Sequence, residues 1–182
     1  MRKLVESTFM TLDGVISEPQ VWGAPYWDDE HARYAHDLLF ASDALLLGRE
    51  TYEGFALAWP SRSGGLADRI NGLPKHVASR TLTEADWNAT VLGKDVPAEV
   101  AWLKERPGKD ILKYGTGELD RTLLEHGLLD ELHLWLFPVV VGRGQRLLDG
   151  LETTHLTLLG TTTFASGIVV LRYGRSEARG GA

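Results

Sequence analysis

Cysteine is absent from the sequence, which excludes a disulfide framework, a thiolate metal site and a redox-sensing thiol. Basic charge is in deficit. Lys and Arg number 19 against 25 Asp and Glu, giving a formal net charge of −6. A general attraction to nucleic acid or to an anionic membrane needs clustered cations, so neither partner is expected, although a local basic pocket remains open. Long apolar runs are missing too. No stretch approaches the ~20 residues that span a bilayer, and the opening Met1-Arg2-Lys3-Leu4-Val5-Glu6 turns polar too soon for a signal peptide. The chain is therefore expected to be cytoplasmic. Metal ligands are scattered: His31 and His36 stand five apart, with no H-E-x-x-H pattern, so no metal site is expected.

What is present fits one enzyme-sized domain. The 182 residues are 43% hydrophobic and 24% charged, with 20 glycines, enough apolar material for one core and too little bias for disorder. The reading is a single domain over 1–174 and a flexible, charged, Gly-rich tail over 175–182.

Residues 3–10 mix β-branched and aromatic side chains and run into Asp13-Gly14, a strand followed by a turn. From Asp28 to Ala41, the apolar Ala32, Ala35, Leu38 and Leu39 recur at helical spacing behind acids in the first turn. Leu45-Leu46-Leu47 is a short continuous apolar run, the pattern of a strand covered on both faces; it stops at Gly48-Arg49, where a second helix is expected to start. The Gly-rich stretch 61–72 reads as a long loop, and 76–79 as another short strand. Pro97 opens a helix that Pro107-Gly108 ends. Residues 111–114 form a strand running into Gly115-Thr116-Gly117, and Leu119, Leu123 and Leu124 mark a short helix closed by Gly127. Residues 132–137 alternate cleanly as a strand, ended by Pro138 or continued at a sheet edge through Val141, and 142–144 read as a turn. Two further strands, 155–159 and 167–173, read as an antiparallel hairpin. Strand–helix alternation followed by consecutive strands predicts an α/β fold, a mixed and mostly parallel central sheet with helices on both faces. Ligands in such sheets bind beyond the carboxyl ends of the strands.

Three strand-to-loop junctions there collect glycine, hydroxyl and guanidinium groups: Gly48-Arg49 with Thr51, Ser79-Arg80, and Gly115-Thr116-Gly117. Glycines admit a pyrophosphate close to the backbone, helix N-termini aim N–H groups at it, and guanidinium forks bind phosphate oxygens in pairs. Each junction alone also reads as an ordinary turn or a solvated surface charge. The chain has no G-x-G-x-x-G after its first strand, and 142–147 fails that pattern at Leu147, so a Rossmann dehydrogenase is disfavoured.

The order LDG, LLLGRETYEGF, HVASRTL and ILKYGTGELDRTLLEHGLLDELHLWLFPVVVGRG resembles the reductase domain of bacterial bifunctional riboflavin-biosynthesis deaminase-reductases, itself similar to dihydrofolate reductase. The resemblance covers 2–174 and implies a dihydrofolate-reductase-like three-layer α/β/α fold with an antiparallel C-terminal hairpin. It implies NADPH as cofactor, with Gly48, Arg49, Thr51, Ser79 and Arg80 around the 2′-phosphate and Gly115, Thr116 and Gly117 at the pyrophosphate. Two fixed guanidinium groups suit a dianionic phosphate, where an NAD site would often present a carboxylate. Asp13 matches the family's LDG segment and is the catalytic candidate, with turn formation as the alternative. Asp28 and Asp29 are substrate-binding candidates from the acids at the first helix, and Trp22 and Trp27, with Tyr26, would wall a planar substrate. The acids also serve a helix dipole, and the aromatics a core.

The implied activity is hydride transfer from NADPH to a C=N or C=O carbon of a small heterocycle. The first candidate is 5-amino-6-(5-phosphoribosylamino)uracil. The alternatives are another pteridine, aromatic or carbonyl compound, or a non-enzymatic NADPH-binding dimeric module. A homodimer, built near the strand 132–141, is also implied.

Overall fold

A computed structural model describes residues 1–176. Eight strands and six α-helices, with a short 3-10 helix at Ala24–Tyr26, build one layered domain among the described residues. The strands are β1 (Leu4–Thr11), β2 (Ser42–Gly48), β3 (Lys75–Ala78), β4 (Ala89–Val91), β5 (Asp110–Tyr114), β6 (Glu131–Phe137), β7 (Leu156–Thr163) and β8 (Val169–Arg175). The helices are α1 (Pro19–Trp22), α2 (Asp29–Ala41), α3 (Arg49–Ala58), α4 (Gly65–Gly72), α5 (Val96–Glu105) and α6 (Glu118–Glu125). All eight strands join in one sheet, in the order β4-β3-β2-β5-β1-β6-β8-β7. Strands β1 to β6 pair in parallel, and β8 pairs antiparallel with both β6 and β7.

The helices cover both faces, as expected for a three-layer α/β/α domain. On one face, Leu39 of α2, Tyr52 of α3 and Ile70 of α4 pack over Val5, Leu45, Leu47, Val77 and Leu112. On the other, Val100 and Leu103 of α5 and Leu123 of α6 pack over Leu4, Leu46, Ile111 and Leu134. Successive strand residues point to opposite faces, so a run such as Leu45-Leu46-Leu47 feeds both cores at once. An aromatic cluster of Trp22, Trp135, Phe137 and Phe164 extends the core toward β8.

Local chemistry sets the helix ends. The Asp28 carboxylate caps α2 by accepting from His31 N at 2.8 Å, and Asp95 caps α5 by accepting from Ala98 N at 3.1 Å. Past α6, Gly127 adopts φ +61°, the left-handed conformation that ends helices with least strain on glycine.

Three expectations need correction. The stretch 61–72 is not all loop: Gly65–Gly72 is α4, because Ala67 and Ile70, three apart, bury one side of it and Arg69 donates to Ser42 O at 2.5 Å. Strand β4, only three residues long, carries too little pattern to be read from sequence, and the left-handed Trp87 and Asn88 precede it. Strand β6, expected near an edge, lies inside the sheet between β1 and β8. The edge strands are instead β4 and β7, and on β7 Leu158 and Leu159 face solvent. At the C-terminus β8 includes Arg175, one residue past the expected domain end, and its guanidinium donates to Gly127 O at 2.8 Å; the remainder of the expected tail, 177–182, lies outside the described residues. Among the described residues no helix is long and apolar enough to cross a membrane.

Candidate cofactor and active site

The connection from β1 runs to β2 on one side of the sheet, whereas that from β5 runs to β6 on the other. The switch point between β1 and β5 is where open α/β sheets leave a crevice at their carboxyl edge. All three glycine- and arginine-bearing junctions end beside it. In the ladder Gly48 stands opposite Ala78, and Leu47 opposite Tyr114, so Gly48-Arg49, Ser79-Arg80 and Gly115-Thr116-Gly117 leave three adjacent strands level with one another.

The loops make contact. Gly115 has φ +74°, and a Cβ built there would lie 2.3 Å from Thr51 Oγ1, so the β5–α6 loop passes against the first turn of α3 at a distance only glycine allows. Thr8 Oγ1 and Thr116 Oγ1 lie 3.4 Å apart across the β1/β5 crevice. Gly48 and Gly117 differ from Gly115. Neither has a left-handed φ (−74° and 176°), and a Cβ on either would meet nothing within 4 Å. Neither backbone strain nor crowding within the protein calls for glycine there, and the missing side chains leave the N-terminal ends of α3 and α6 open. That opening suits a phosphate chain approaching unpaired helix N–H groups.

The guanidinium groups flank the opening. Arg49 lies 3.6 Å from Glu53, four residues on in α3. Arg80 forms a two-pronged pair with Glu118, Nη1 to Oε1 at 2.9 Å and Nη2 to Oε2 at 2.5 Å. Both arginines are well exposed, so these pairs are weak and exchangeable for a phosphate. The Ser79 hydroxyl accepts from Leu82 N at 2.9 Å and from Thr81 N at 3.2 Å, fixing the turn that carries Arg80. The residues present fit a 2′-phosphorylated dinucleotide: arginines on two neighbouring junctions and two uncrowded glycines at helix starts.

Asp13 sits at the loop after β1. Its Oδ1 accepts from Thr11 Oγ1 at 2.6 Å and from Val141 N at 3.3 Å, and its Oδ2 accepts from Gly142 N at 2.7 Å. The Thr11 hydroxyl, followed by these two amides, holds the Asp13 carboxyl below the usual aspartate range. Asp13 thus joins the loop after β1 to the loop after β6, and Arg146 adds a bond to Asp13 O. Between these loops and α6 lies a cavity of about 370 Å³ lined in part by Ile16, Gly117, Arg121, Gln145 and Arg146.

The expected substrate residues separate. Trp22 is buried in the aromatic cluster, its Nε1 donating to Ser17 O at 2.8 Å, so it belongs to the core rather than to a pocket wall. Tyr26 packs edge-on against Phe137. Trp27 stays half-exposed and stacks on His31 at 5.9 Å between centroids. Asp28 is engaged as the α2 cap, and the His31 amide is the largest influence holding its carboxyl below the usual range; Asp29 follows in the first turn of that helix. His31 lies among Phe9, Trp27 and Trp135, and burial lowers its pKa.

Sequence reasoning missed Glu6, Lys113 and Asp120, all buried beneath the glycine loop. Lys113 Nζ lies 2.5 Å from Asp120 Oδ1 and 3.7 Å from Glu6 Oε2. The signal was available as a charge inside each of two sheet strands, Glu6 in β1 and Lys113 in β5.

A family model described as the RibD C-terminal domain matches residues 2–170. The chain is 32% identical to YyaP of Bacillus subtilis over 180 residues, covering 94% of each. It is 29% identical to YwjB of the same organism, covering 92% of this chain and 95% of that one. The structure resembles that of a pyrimidine reductase-like protein from Corynebacterium diphtheriae, with a TM-score of 0.68 at 18% identity over 95% of this chain and 91% of that one. It also resembles a diaminohydroxyphosphoribosylaminopyrimidine deaminase/5-amino-6-(5-phosphoribosylamino)uracil reductase from Thermotoga maritima, with a TM-score of 0.66 at 17% identity over 96% of this chain and 57% of that one.

Proposed function

This chain belongs to the RibD C-terminal domain family, and on that premise we propose that it is an NADPH-dependent pyrimidine reductase-like enzyme acting on a small heterocycle. The observation that carries the reading is the pair of uncrowded glycines, Gly48 and Gly117, opening helix N-termini on neighbouring junctions beside two arginines. The Thermotoga relative, named for reduction of a phosphoribosylamino-uracil, makes that compound the first substrate to try.

In this proposal Arg49 and Arg80, steadied by Ser79 and Thr51, grip the 2′-phosphate, and Thr116 with the N–H groups opening α6 receives the pyrophosphate. The bound cofactor supplies a hydride to an electrophilic ring or imine carbon. The chain's own task is alignment and exclusion of water. Asp13 does this by holding two loops together beside the crevice. Held below its usual pKa, its carboxylate is an acceptor at neutral pH, so the proton that completes the reduction comes from water or from the substrate itself. Trp27 offers the exposed aromatic face for a planar ring, and Asp28 and Asp29 are the neighbouring acids. Assembly as a homodimer belongs to the same reading, with the exposed edge of β7 as the surface; sedimentation as a monomer at micromolar concentration overturns that part alone.

The test is a titration of the protein with NADPH and NADH. NADPH is expected to bind at least about ten-fold more tightly, and Arg49→Ala combined with Arg80→Ala to abolish that preference while leaving NADH almost unchanged. Equal loss for both cofactors overturns the assignment of the arginines.

A further inference from the structure

Beneath the loop 115–117 three ionisable side chains are withdrawn from solvent almost completely: Glu6 on β1 and Lys113 on β5 are each 1% exposed, and Asp120 on α6 is 0% exposed. Such a cluster is costly. Moving charges out of water carries a penalty that their mutual attraction often fails to repay, and apolar replacements of similar volume are commonly neutral or stabilising. Stability is therefore a poor account of why the sequence places a lysine in the middle strand of its sheet.

The bonds that leave the cluster give a better one. Lys113 Nζ donates to Gly115 O, and Asp120 Oδ2 accepts from Gly117 N at 2.6 Å. Two backbone groups of the glycine loop are thus tied to the two buried charges. In a trans peptide the C=O and the following N–H point in opposite directions. Holding the Gly115 carbonyl inward on Lys113 turns the Thr116 N–H outward, and holding the Gly117 N–H on Asp120 turns the Thr116 carbonyl away from Asp120. Gly115, at φ +74°, supplies the conformation this needs, and the first-turn N–H groups of Glu118 and Leu119 have no acceptor within α6.

We infer that Lys113 and Asp120, packed against Glu6, are positioning residues that aim the Thr116 and α6 N–H groups at the cofactor pyrophosphate. The inference rests on the proposed NADPH site and names the part of it that recognises the phosphate bridge. Glu6 fits the scheme as a neutral neighbour. Burial pushes its carboxyl well above the usual range, which favours its neutral form beside the Lys113–Asp120 pair. The arrangement acts through the loop backbone and touches no reacting atom.

The test compares two ligands that share the adenosine 2′-phosphate: NADPH, which carries the pyrophosphate, and 2′-AMP, which does not. Lys113→Met removes the donor to Gly115 at similar side-chain length. Asp120→Asn removes the charge with almost no change of volume. Both variants are expected to weaken NADPH about ten-fold while 2′-AMP binds within roughly two-fold of wild type, since the lost alignment concerns only the bridge. Loss of both ligands together means general damage to the site and overturns the inference, as does unchanged NADPH binding. If circular dichroism finds Lys113→Met unfolded, Asp120→Asn alone decides by the same comparison. Wild-type protein that binds neither ligand overturns the cofactor reading itself, whereas wild-type binding of both with indifferent variants removes only the positioning role.

Discussion

At the residue scale the geometry gives Asp13 a definite task. Its carboxylate ties Thr11, Val141 and Gly142 together, three donors that an acceptor-only group satisfies and an amide does not. In Asp13→Asn the amide NH2 meets at least one of these donors head-on, so the two loops part. The expected result is a lower turnover of whichever substrate is reduced, with NADPH affinity held within about two-fold, measured by single-turnover hydride transfer beside a binding titration. Unchanged turnover makes Asp13 a turn residue only. The sign with pH follows from the depressed pKa. The bond network contributes fully above the ordinary aspartate pKa and is lost as pH falls through the lowered value, so the wild-type advantage over Asp13→Asn is expected to vanish in acid.

At the scale of elements, legibility tracked pattern strength. Continuous apolar runs such as Leu45-Leu46-Leu47 and the alternation in 132–137 announced β2 and β6 because burial on known faces dictates those patterns. Helix α4 hid behind glycines and a two-residue apolar side, and β4 was too short to carry a period. Strand order is invisible to such reasoning, which is why β6 was placed near an edge while its true neighbours are β1 and β8. The phosphate-type junctions were legible as residue types. Their convergence depended on the registers of β3, β2 and β5, which no local pattern encodes. Trp22 illustrates the opposite error: an aromatic near a presumed pocket is more often core, and this one is. The central strands also give the element-scale prediction. Leu112 on β5 is 0% exposed, so Leu112→Ala is expected to cost about 2–5 kcal/mol of unfolding free energy by urea denaturation, with little change in the slope of the transition.

At the scale of the whole molecule, and among the described residues, Lys75 at the end of α4 is a buried cation with no carboxylate within ion-pair distance. Lys75 is 1% exposed; its Nζ donates to Leu73 O at 2.7 Å and Asn71 O at 3.2 Å, and it sits 4.0 Å from the centre of the Trp87 ring. These partners suit an ammonium ion closing a helix end, yet burial pulls its pKa down to about 8. A lysine depressed in the folded state binds fewer protons there than when unfolded. Its contribution is therefore fully favourable only above the ordinary lysine value and diminishes as pH falls through about 8. The stability of wild type relative to Lys75→Met is expected to rise between pH 8 and 10, read from urea midpoints at each pH. A flat difference assigns the lysine a pKa close to that of a free side chain.

The sheet order has a consequence for how the molecule comes to exist. Strand β1 precedes every other described strand in the sequence, yet it pairs with β5 and β6, with Leu4 opposite Ile111 and Val5 opposite Glu131. Everything that carries the three junctions lies in the sequence between those partners. Closing such long loops before any contact rewards them makes folding slow, because the entropy is lost first. During synthesis β1 must wait, unpaired, until β5 and β6 have emerged. The crevice between β1 and β5 is then created only when β5 enters the sheet between β2 and β1, so a chain arrested before β5 has no closed crevice to offer a ligand.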